Sequence, residues 1–544
     1  MTEPTVIARF DAVAAAQPRR VAVLWGKERI TNADIAAQIN VYGAALQADH
    51  AIGKGDRVGI LLKNSPEFIY VLYAVLKLGA TVVPINTFLK APEIQHILDD
   101  CQLRCLVTSP DFDEVTGKLE RVTVVPLESL ALKSAGPRLG VGATDRVGPR
   151  SGAAWTRPFD FARDRLRVSL PTQPERVPTN NLTDAPRRLP TWPAISPDDL
   201  AVIIYTSGTT GKPKGALLTH GNIAANVGSC IKALEETTDD RLTLLLPMFH
   251  SFMLTVGIFT PLSMGAGIVL IKSIHPLKAA MREIIMNRAT IFVGIPQIFQ
   301  ALAEAKIPFW LHWVLKLRMA VSGAAPLPRE TLDAFERKMR FPLLEGYGLS
   351  EASPVVSFNP WKGVRKAGSV GLPLPDVEVK VFDDHDRELP PGQVGEIVVR
   401  GPNVMRGYYN HPEETASTLR SGWLHTGDMG KKDEDGYIYI VDRRKEMLLV
   451  RGLNVYPREI EEVLHQFPSV REAAVVAKAD EKRGEVPMAF VSPVEGATLD
   501  PNEILKFCRD RLADYKMPRE VRIMDALPRT ATGKIAKLEL KKRV

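Results

Sequence analysis

The chain has 544 residues and a formal net charge of +7, with 45% hydrophobic and 24% charged residues. That length exceeds one ordinary domain, and the composition excludes a disordered, collagen-like or coiled-coil chain. Positions 134 to 190 hold ten arginines, four aspartates, one glutamate and no lysine, so this stretch carries +5 of the +7; the near-neutral remainder argues against nucleic acid as a partner.

Met1 to Phe10 lacks the apolar core of a signal peptide, so a cytoplasmic protein is expected. Val21 to Trp25 reads as a strand, Thr31 and Asp34 cap a helix running to about Gln47, and Arg57 to Leu62 is a second strand. Ser65 and Pro66 open a helix that ends near Gly79, and Thr81 to Pro84 follows as a strand. Such alternation predicts layered α/β structure around a largely parallel sheet. Cys101, Cys105, Cys230 and Cys508 are too few and too scattered for a disulfide framework, and the Cys101–Cys105 spacing has no second pair to complete a zinc site; core packing is expected for them. From 134 to about 193 the sequence is rich in Arg, Pro and Gly with no sustained period. It is expected to form a long irregular insert without an assignable role.

Leu200 to Tyr205 reads as a strand that empties into a loop, with a helix opening near Asn222. Gly208, Gly211 and Gly215 let successive amides converge on an anion, Thr206, Ser207, Thr209 and Thr210 add hydroxyl donors, and Lys212 and Lys214 add charge. Together they make a polyphosphate nest. It is not a Walker A loop, because Gly208 to Lys212 is too short and Pro213 follows the lysine. The plain alternative is a flexible polar loop; the strand, helix and two lysines favour phosphate.

The uncharged run from Ser251 to Ile271 approaches membrane-spanning length, but its glycines and Pro261 divide it into a helix, a turn and a buried strand. Strands are expected at Leu242–Pro247, Thr290–Gly294 and Leu317–Ser322, with Trp310 and Trp313 packed in the core just before the last; weak membrane-surface contact is the alternative for that pair. From Val370 the pattern shortens to alternating strands and turns, a β-rich subdomain. Asp442 to Lys445 then marks a boundary before a compact α+β tail.

Seven signatures follow one another along this chain. They are Tyr205-Thr-Ser-Gly-Thr-Thr-Gly-Lys-Pro-Lys-Gly215, Leu246-Pro-Met-Phe-His250, Val321-Ser-Gly-Ala-Ala-Pro326, Glu345-Gly-Tyr-Gly-Leu-Ser-Glu351, Trp423-Leu-His-Thr-Gly-Asp428, Asp442-Arg-Arg-Lys445 and Pro528-Arg-Thr-Ala-Thr-Gly-Lys534. In this order they resemble the adenylate-forming (AMP-binding) superfamily, in its acyl-CoA synthetase and long-chain fatty acid–CoA ligase branch. The resemblance covers nearly all the chain outside the Arg/Pro-rich stretch.

It implies a large α/β N-terminal domain over 1–441, with layered α/β subdomains and a β-rich one. A hinge at 442–445 and a small mobile α+β C-terminal domain over 446–544 follow. It also implies ATP, Mg2+ and coenzyme A. The loop Thr206 to Lys214 would hold the β- and γ-phosphates. Glu351 would bind magnesium, which prefers carboxylate and phosphate oxygens, and Lys534 would bridge the substrate carboxylate and the α-phosphate. Asp428 would accept from the ribose hydroxyls with Arg443 beside it. Tyr347 would face adenine, the backbone of Ser322, Gly323 and Ala324 its edge, and Glu345, Gly346, Gly348 and Ser350 would complete the nucleotide site. Ala324 stands where the family more often has glycine, and Ser350 replaces the commoner threonine. His250 would border the path of acyl carboxylate and thiol, Lys445 would be the pivot, and Gly452 the close-approach point for the pantetheine arm.

The segments Phe249–Val256 and Phe292–Pro296 are apolar with small residues and hold no aspartate for an amino group, which suits an alkyl tunnel. A medium- or long-chain fatty acid is the leading substrate and an aryl acid the second. Two other readings stay open: an acyl-AMP ligase that loads an acyl carrier protein, and a non-catalytic nucleotide- or lipid-binding relative.

Overall fold

The computed structural model describes residues 4–131, 188–207, 213–273, 276–305, 311–450, 453–480, 484–529 and 535–544. Outside them lie Gly208, Thr209, Thr210, Gly211, Lys212, Gly452 and Lys534, and nearly all of the Arg/Pro-rich stretch. Where that stretch ends, Thr191 and Trp192 lie against the helix Asn32–His50. Thr191 exchanges hydrogen bonds with the Gln47 amide, and the Trp192 ring lies where a side chain at Gly43 would have to be.

The described residues form four sheets. A seven-stranded sheet runs Gly407–Tyr408, Pro213–Thr219, Leu200–Ser207, Thr81–Pro84, Arg57–Leu61, Cys105–Thr108 and Thr123–Pro126, parallel from Leu200–Ser207 onward. A nine-stranded sheet has a parallel centre made of Leu343–Gly348, Met319–Ser322, Ile291–Gly294, Arg241–Leu244, Gly267–Leu270 and Val21–Trp25, with antiparallel strands at both margins. Parallel pairing buries both faces, and central strands such as Gly267–Leu270 and Ile291–Gly294 are apolar and buried throughout, as that demands. The third sheet is antiparallel: Glu378–Phe382, Gly395–Arg400, Leu424–Lys432 and Ile438–Arg443. The fourth, in the C-terminal part, is mixed and includes the long pair Val470–Asp480 and Gly484–Pro493.

Helix Asn32–His50 opens on the expected reciprocal cap between Thr31 and Asp34. Helix Pro66–Lys77 is buried from Phe68 to Leu76, so it has no polar face and must lie within the core. Tyr73 sits 5.0 Å from the Phe10 ring and 5.9 Å from Phe259. Each large side chain so buried contributes about 1.5–3 kcal/mol. All four cysteines are free and buried, as expected, and burial pushes the Cys101 and Cys508 thiols up to about 11.

Two expectations need correction. The phosphate loop does not run straight into a helix: Pro213–Thr219 is a strand antiparallel to Leu200–Ser207, and the helix His220–Leu234 starts after it. Pro213 can open such a strand, and the run Gly215 to Leu218 carries on into the sheet. Trp313 is not a core residue. The short helix Leu311–Val314 buries Leu311 and leaves Trp313 78% exposed, because a single turn can offer only one side to the core. The run from Ser251 divides as expected into a helix, a turn and the buried strand Gly267–Leu270, its helical part being π-helical over Met253–Phe259 and α-helical over Thr260–Met264. Among the described residues no helix is long and apolar enough to cross a membrane.

Candidate active site

In parallel α/β sheets, loops leaving the carboxyl ends of the strands build the crevice where ligands bind. In this protein Gly294, Ser322 and Glu345 stand side by side at those ends. The segments that follow them, Gly323 to Leu327 and Gly346 to Glu351, therefore line one rim. Ala324 has φ +67°, a left-handed conformation that favours glycine, which gives a physical reason for glycine in the family pattern. Glu345 is buried, accepts a 3.0 Å hydrogen bond from the Leu327 amide and so pins the far end of that segment. Burial pushes its carboxyl up to about 7, against the pull of the Leu327 amide and Arg458. A methyl at Gly346 would strike the Phe358 ring at 2.3 Å, so the strand before Tyr347 packs only as glycine.

Glu351 lies where the two large sheets meet. Thr206 Oγ1 donates to its Oε1 at 3.3 Å, and the Tyr408 hydroxyl donates to the same oxygen at 3.0 Å. Its backbone carbonyl takes the Met405 amide at 2.8 Å. One neighbour away, Ser350 Oγ is 3.1 Å from Ser251 Oγ, which ties the Pro247–His250 turn to the same point. His250 Nδ1 accepts the Phe252 amide at 3.2 Å, so that ring nitrogen is unprotonated and the ring is oriented by backbone. Phe252 in turn covers Gly323: a side chain there would meet its ring at 3.0 Å. Lys214 is buried and paired with Glu414 at 3.0 Å, with the Tyr408 ring 6.0 Å away. It anchors the strand that returns from the phosphate loop.

At the other end of the site, the Tyr347 hydroxyl donates to Asp428 Oδ2 at 2.6 Å, and Arg443 Nε stands 3.4 Å from Asp428 Oδ1. Asp428 and Arg443 face each other across antiparallel strands. Burial, then the Asp428 charge, keeps the Tyr347 phenol firmly protonated. Burial opposes the Arg443 charge, yet Asp428, Glu446, Tyr347 and Glu351 together hold it above the usual arginine range. Its direct contact in the site is with Asp428. Lys445 follows two residues later; partial desolvation and the Arg443 charge hold its ammonium below the usual lysine range.

The structure therefore brings Thr206, Glu345, Tyr347, Ser350, Glu351, Asp428 and Arg443 into one rim, with His250 and Gly323 adjoining. Ser207 ends the strand that enters the site. Sequence reasoning missed Tyr408, which completes the Glu351 contacts, and Glu396, which accepts the Gly427 amide at 3.0 Å beside Asp428. Neither belongs to a motif quoted above. Only the Arg406-Gly-Tyr-Tyr409 turn offered a faint signal for the first.

The sequence model of the AMP-binding enzyme family matches residues 10–409, and that of the AMP-binding enzyme C-terminal domain matches 459–534. Over 532 residues the chain is 35% identical to the long-chain-fatty-acid–CoA ligase of Bacillus subtilis (strain 168), covering 97% of this chain and 92% of the relative. It is 34% identical over 536 residues to a feruloyl-CoA synthase of Amycolatopsis sp, covering 97% of each. The ATP-bound crystal structure of MatB from Rhodopseudomonas palustris superposes with a TM-score of 0.83 at 28% identity and 99% coverage of both chains. The apo form of that protein gives 0.73. With the motifs in order, the site assembled and both family models matched, the chain belongs to the adenylate-forming family of AMP-binding enzymes, as an acyl-CoA synthetase that joins an acid to a thiol.

Proposed function

We propose that the enzyme activates a medium- or long-chain fatty acid with ATP and passes the acyl group to coenzyme A. The observation that supports this most is the single rim in which Thr206 and Tyr408 meet on Glu351 while Tyr347 and Arg443 meet on Asp428. One end suits a metal-bound polyphosphate, the other a ribose diol.

In the first step a carboxylate oxygen attacks the α-phosphorus and pyrophosphate leaves. In the second the thiol attacks the acyl carbonyl, AMP leaves and the thiol proton is lost. The obstacle to the first is repulsion between two anions, so the protein must supply alignment and positive charge. Asp428 accepts from the ribose hydroxyls and Tyr347 offers its ring to adenine. The segment Ser322 to Ala324 gives backbone groups to the adenine edge, with Gly346 and Gly348 keeping the opposite wall thin. The loop Thr206 to Lys214 receives the β- and γ-phosphates, and Lys534 neutralises charge shared by carboxylate and α-phosphate. Glu351 is the magnesium ligand: its carboxylate already lies among hydroxyl oxygens, a donor set that suits a hard cation. Magnesium, when bound, would neutralise phosphate charge. His250 borders the carboxylate, Lys445 is the pivot, and Gly452 passes the pantetheine arm. The hinge at 442–445 separates domains 1–441 and 446–544.

The acyl chain is assigned to the apolar wall formed by Phe249, Phe252 and the π-helical stretch Met253–Phe259, all buried. That stretch carries no charge. Four buried reduced thiols support a cytoplasmic setting.

The test is pyrophosphate release with ATP and Mg2+ across saturated fatty acids and aryl acids, with and without coenzyme A. Turnover that needs both a fatty acid and coenzyme A is expected. Preference for an aryl acid would overturn the substrate assignment. A single burst that coenzyme A does not relieve would move the thiol to a carrier protein.

A further inference from the structure

No step of the mechanism above uses Tyr408, yet its hydroxyl is one of two that meet on a single oxygen of Glu351. It donates to Oε1 at 3.0 Å, and Thr206 Oγ1 donates to the same atom at 3.3 Å. A carboxylate oxygen has two lone pairs, so these two donors fill Oε1. Oε2 has no hydrogen-bond or ionic partner among the described residues.

Tyr408 is itself held from several sides. The chain from Asn403 to Tyr409 wraps the turn that carries Glu351. Asn403 Nδ2 donates to the Ala352 carbonyl at 2.9 Å, and the Met405 amide to the Glu351 carbonyl at 2.8 Å. The Arg406 and Tyr409 amides then donate to the Leu217 and Gly215 carbonyls at 2.9 and 2.8 Å, which seats Gly407–Tyr408 as an edge strand on Pro213–Thr219. The Tyr408 amide donates to Thr415 Oγ1 at 2.8 Å, and Lys214 Nζ, paired with Glu414, stands 6.0 Å from the ring. Burial, then the Glu351 charge, holds the phenol above the usual tyrosine range, so it keeps the proton it donates. Thr206 lies on the strand that enters the phosphate loop, and Tyr408 is paired with the strand that leaves it. Both arms of the loop therefore converge on Oε1.

We infer that Tyr408 is a positioning residue whose hydroxyl, with that of Thr206, saturates Oε1 of Glu351 and leaves Oε2 as the oxygen that meets the cation accompanying ATP. This rests on the reading of Glu351 as the magnesium ligand. Hydrogen-bonded neighbours fix the direction of a ligating carboxylate before the metal arrives, and losing one commonly costs about 10- to 100-fold in metal affinity or activity.

The test reads metal binding apart from turnover, with Mn2+ as a spectroscopic substitute for Mg2+. Mn2+ is titrated into the enzyme with a non-hydrolysable ATP analogue and no acid, and the bound fraction is followed by electron paramagnetic resonance. Tyr408→Phe, which keeps the ring and removes only the hydroxyl, is expected to weaken Mn2+ binding about tenfold. The Mg2+ concentration that gives half-maximal pyrophosphate release should rise by a similar factor. AMP affinity, measured by calorimetry without metal, should stay within about twofold, whereas a tyrosine that only supports the fold would move both affinities together. Added to Glu351→Gln, the same change should cost little more Mn2+ affinity, because both act through one carboxylate.

Unchanged Mn2+ affinity in Tyr408→Phe, an equal loss of AMP affinity, or fully multiplicative losses in the double variant would overturn the inference. Glu351→Gln is the control for the underlying reading: if it leaves Mn2+ affinity unchanged, the magnesium assignment fails, whatever Tyr408 does.

Discussion

Asp428, the proposed ribose ligand, is a carboxylate held from two sides. The Tyr347 hydroxyl and Arg443 occupy one oxygen each, and its own amide is fastened to Thr426 Oγ1 at 3.1 Å. Asp428→Ala should cost a charge-assisted hydrogen bond to each ribose hydroxyl it holds, about 1.5–3 kcal/mol apiece. KM for ATP should rise by at least about tenfold, measured by pyrophosphate release, and the melting temperature should fall as well, because the Tyr347 hydroxyl and Arg443 lose their partner. Glu236 makes the opposite case. It is buried, and neither carboxylate oxygen has a hydrogen-bond partner among the described residues. Burial, with Asp240 nearby, pushes it from 4.5 up to about 8. A carboxyl whose folded value is raised adds stability below its unfolded value and loses it as pH climbs toward the folded one. Stability should therefore fall between pH 4.5 and about 8. Glu236→Gln should match the parent at the low end of that window and melt higher at the top. Melting curves across the range check this, and a constant gap would refute it.

The helix Pro457–His465 has no side-chain cap of its own, since Tyr456 cannot supply one. Asp442, from the preceding strand, takes the part: Oδ2 accepts the Arg458 amide at 2.8 Å, and Oδ1 its neighbour Arg443's amide at 2.7 Å. Replacing a capping carboxylate costs about 0.5–2 kcal/mol. Hydrogen exchange at the Arg458 amide should quicken correspondingly in Asp442→Ala, by about 2- to 30-fold, while amides of the nine-stranded sheet keep their rates. Such caps mark the limit of what the sequence discloses. Thr31 and Asp34 are three residues apart and were legible; Asp442 and Arg458 are joined only by the fold. The apolar strands and the motifs were legible because period and spacing are local properties. The strand Pro213–Thr219 was not, because its proline, lysine and glycine resemble loop composition and its pairing with Leu200–Ser207 decides the matter. Tyr408 and Glu396 escaped for the same reason: each meets its partner from a distant strand. The π-helical stretch Met253–Phe259 has no sequence signature separate from an ordinary buried helix.

Two successive reactions at one site require the molecule to present two faces to the same intermediate. Lys445→Pro should hold the backbone at the pivot, since proline fixes φ near −65°. Adenylate formation should survive while thioester formation from supplied adenylate slows by about tenfold or more. Lys534→Ala should do the reverse, abolishing the first half-reaction and sparing the second. Pyrophosphate release and thioester yield measured on the same preparations distinguish the two, and loss of both activities in either variant would refute this division of labour.

The four buried cysteines carry a practical consequence for watching the proposed motion. Each thiol is enclosed, with Cys101, Cys105 and Cys230 in the large sheet-bearing part and Cys508 in the tail. Burial holds every one of them above the ordinary thiol range, so thiolate is scarce near neutral pH. The native enzyme is therefore blank to maleimides. A pair of cysteines introduced on either side of the hinge would be the sole dye acceptors, and fluorescence energy transfer could follow the swing in an otherwise unaltered chain.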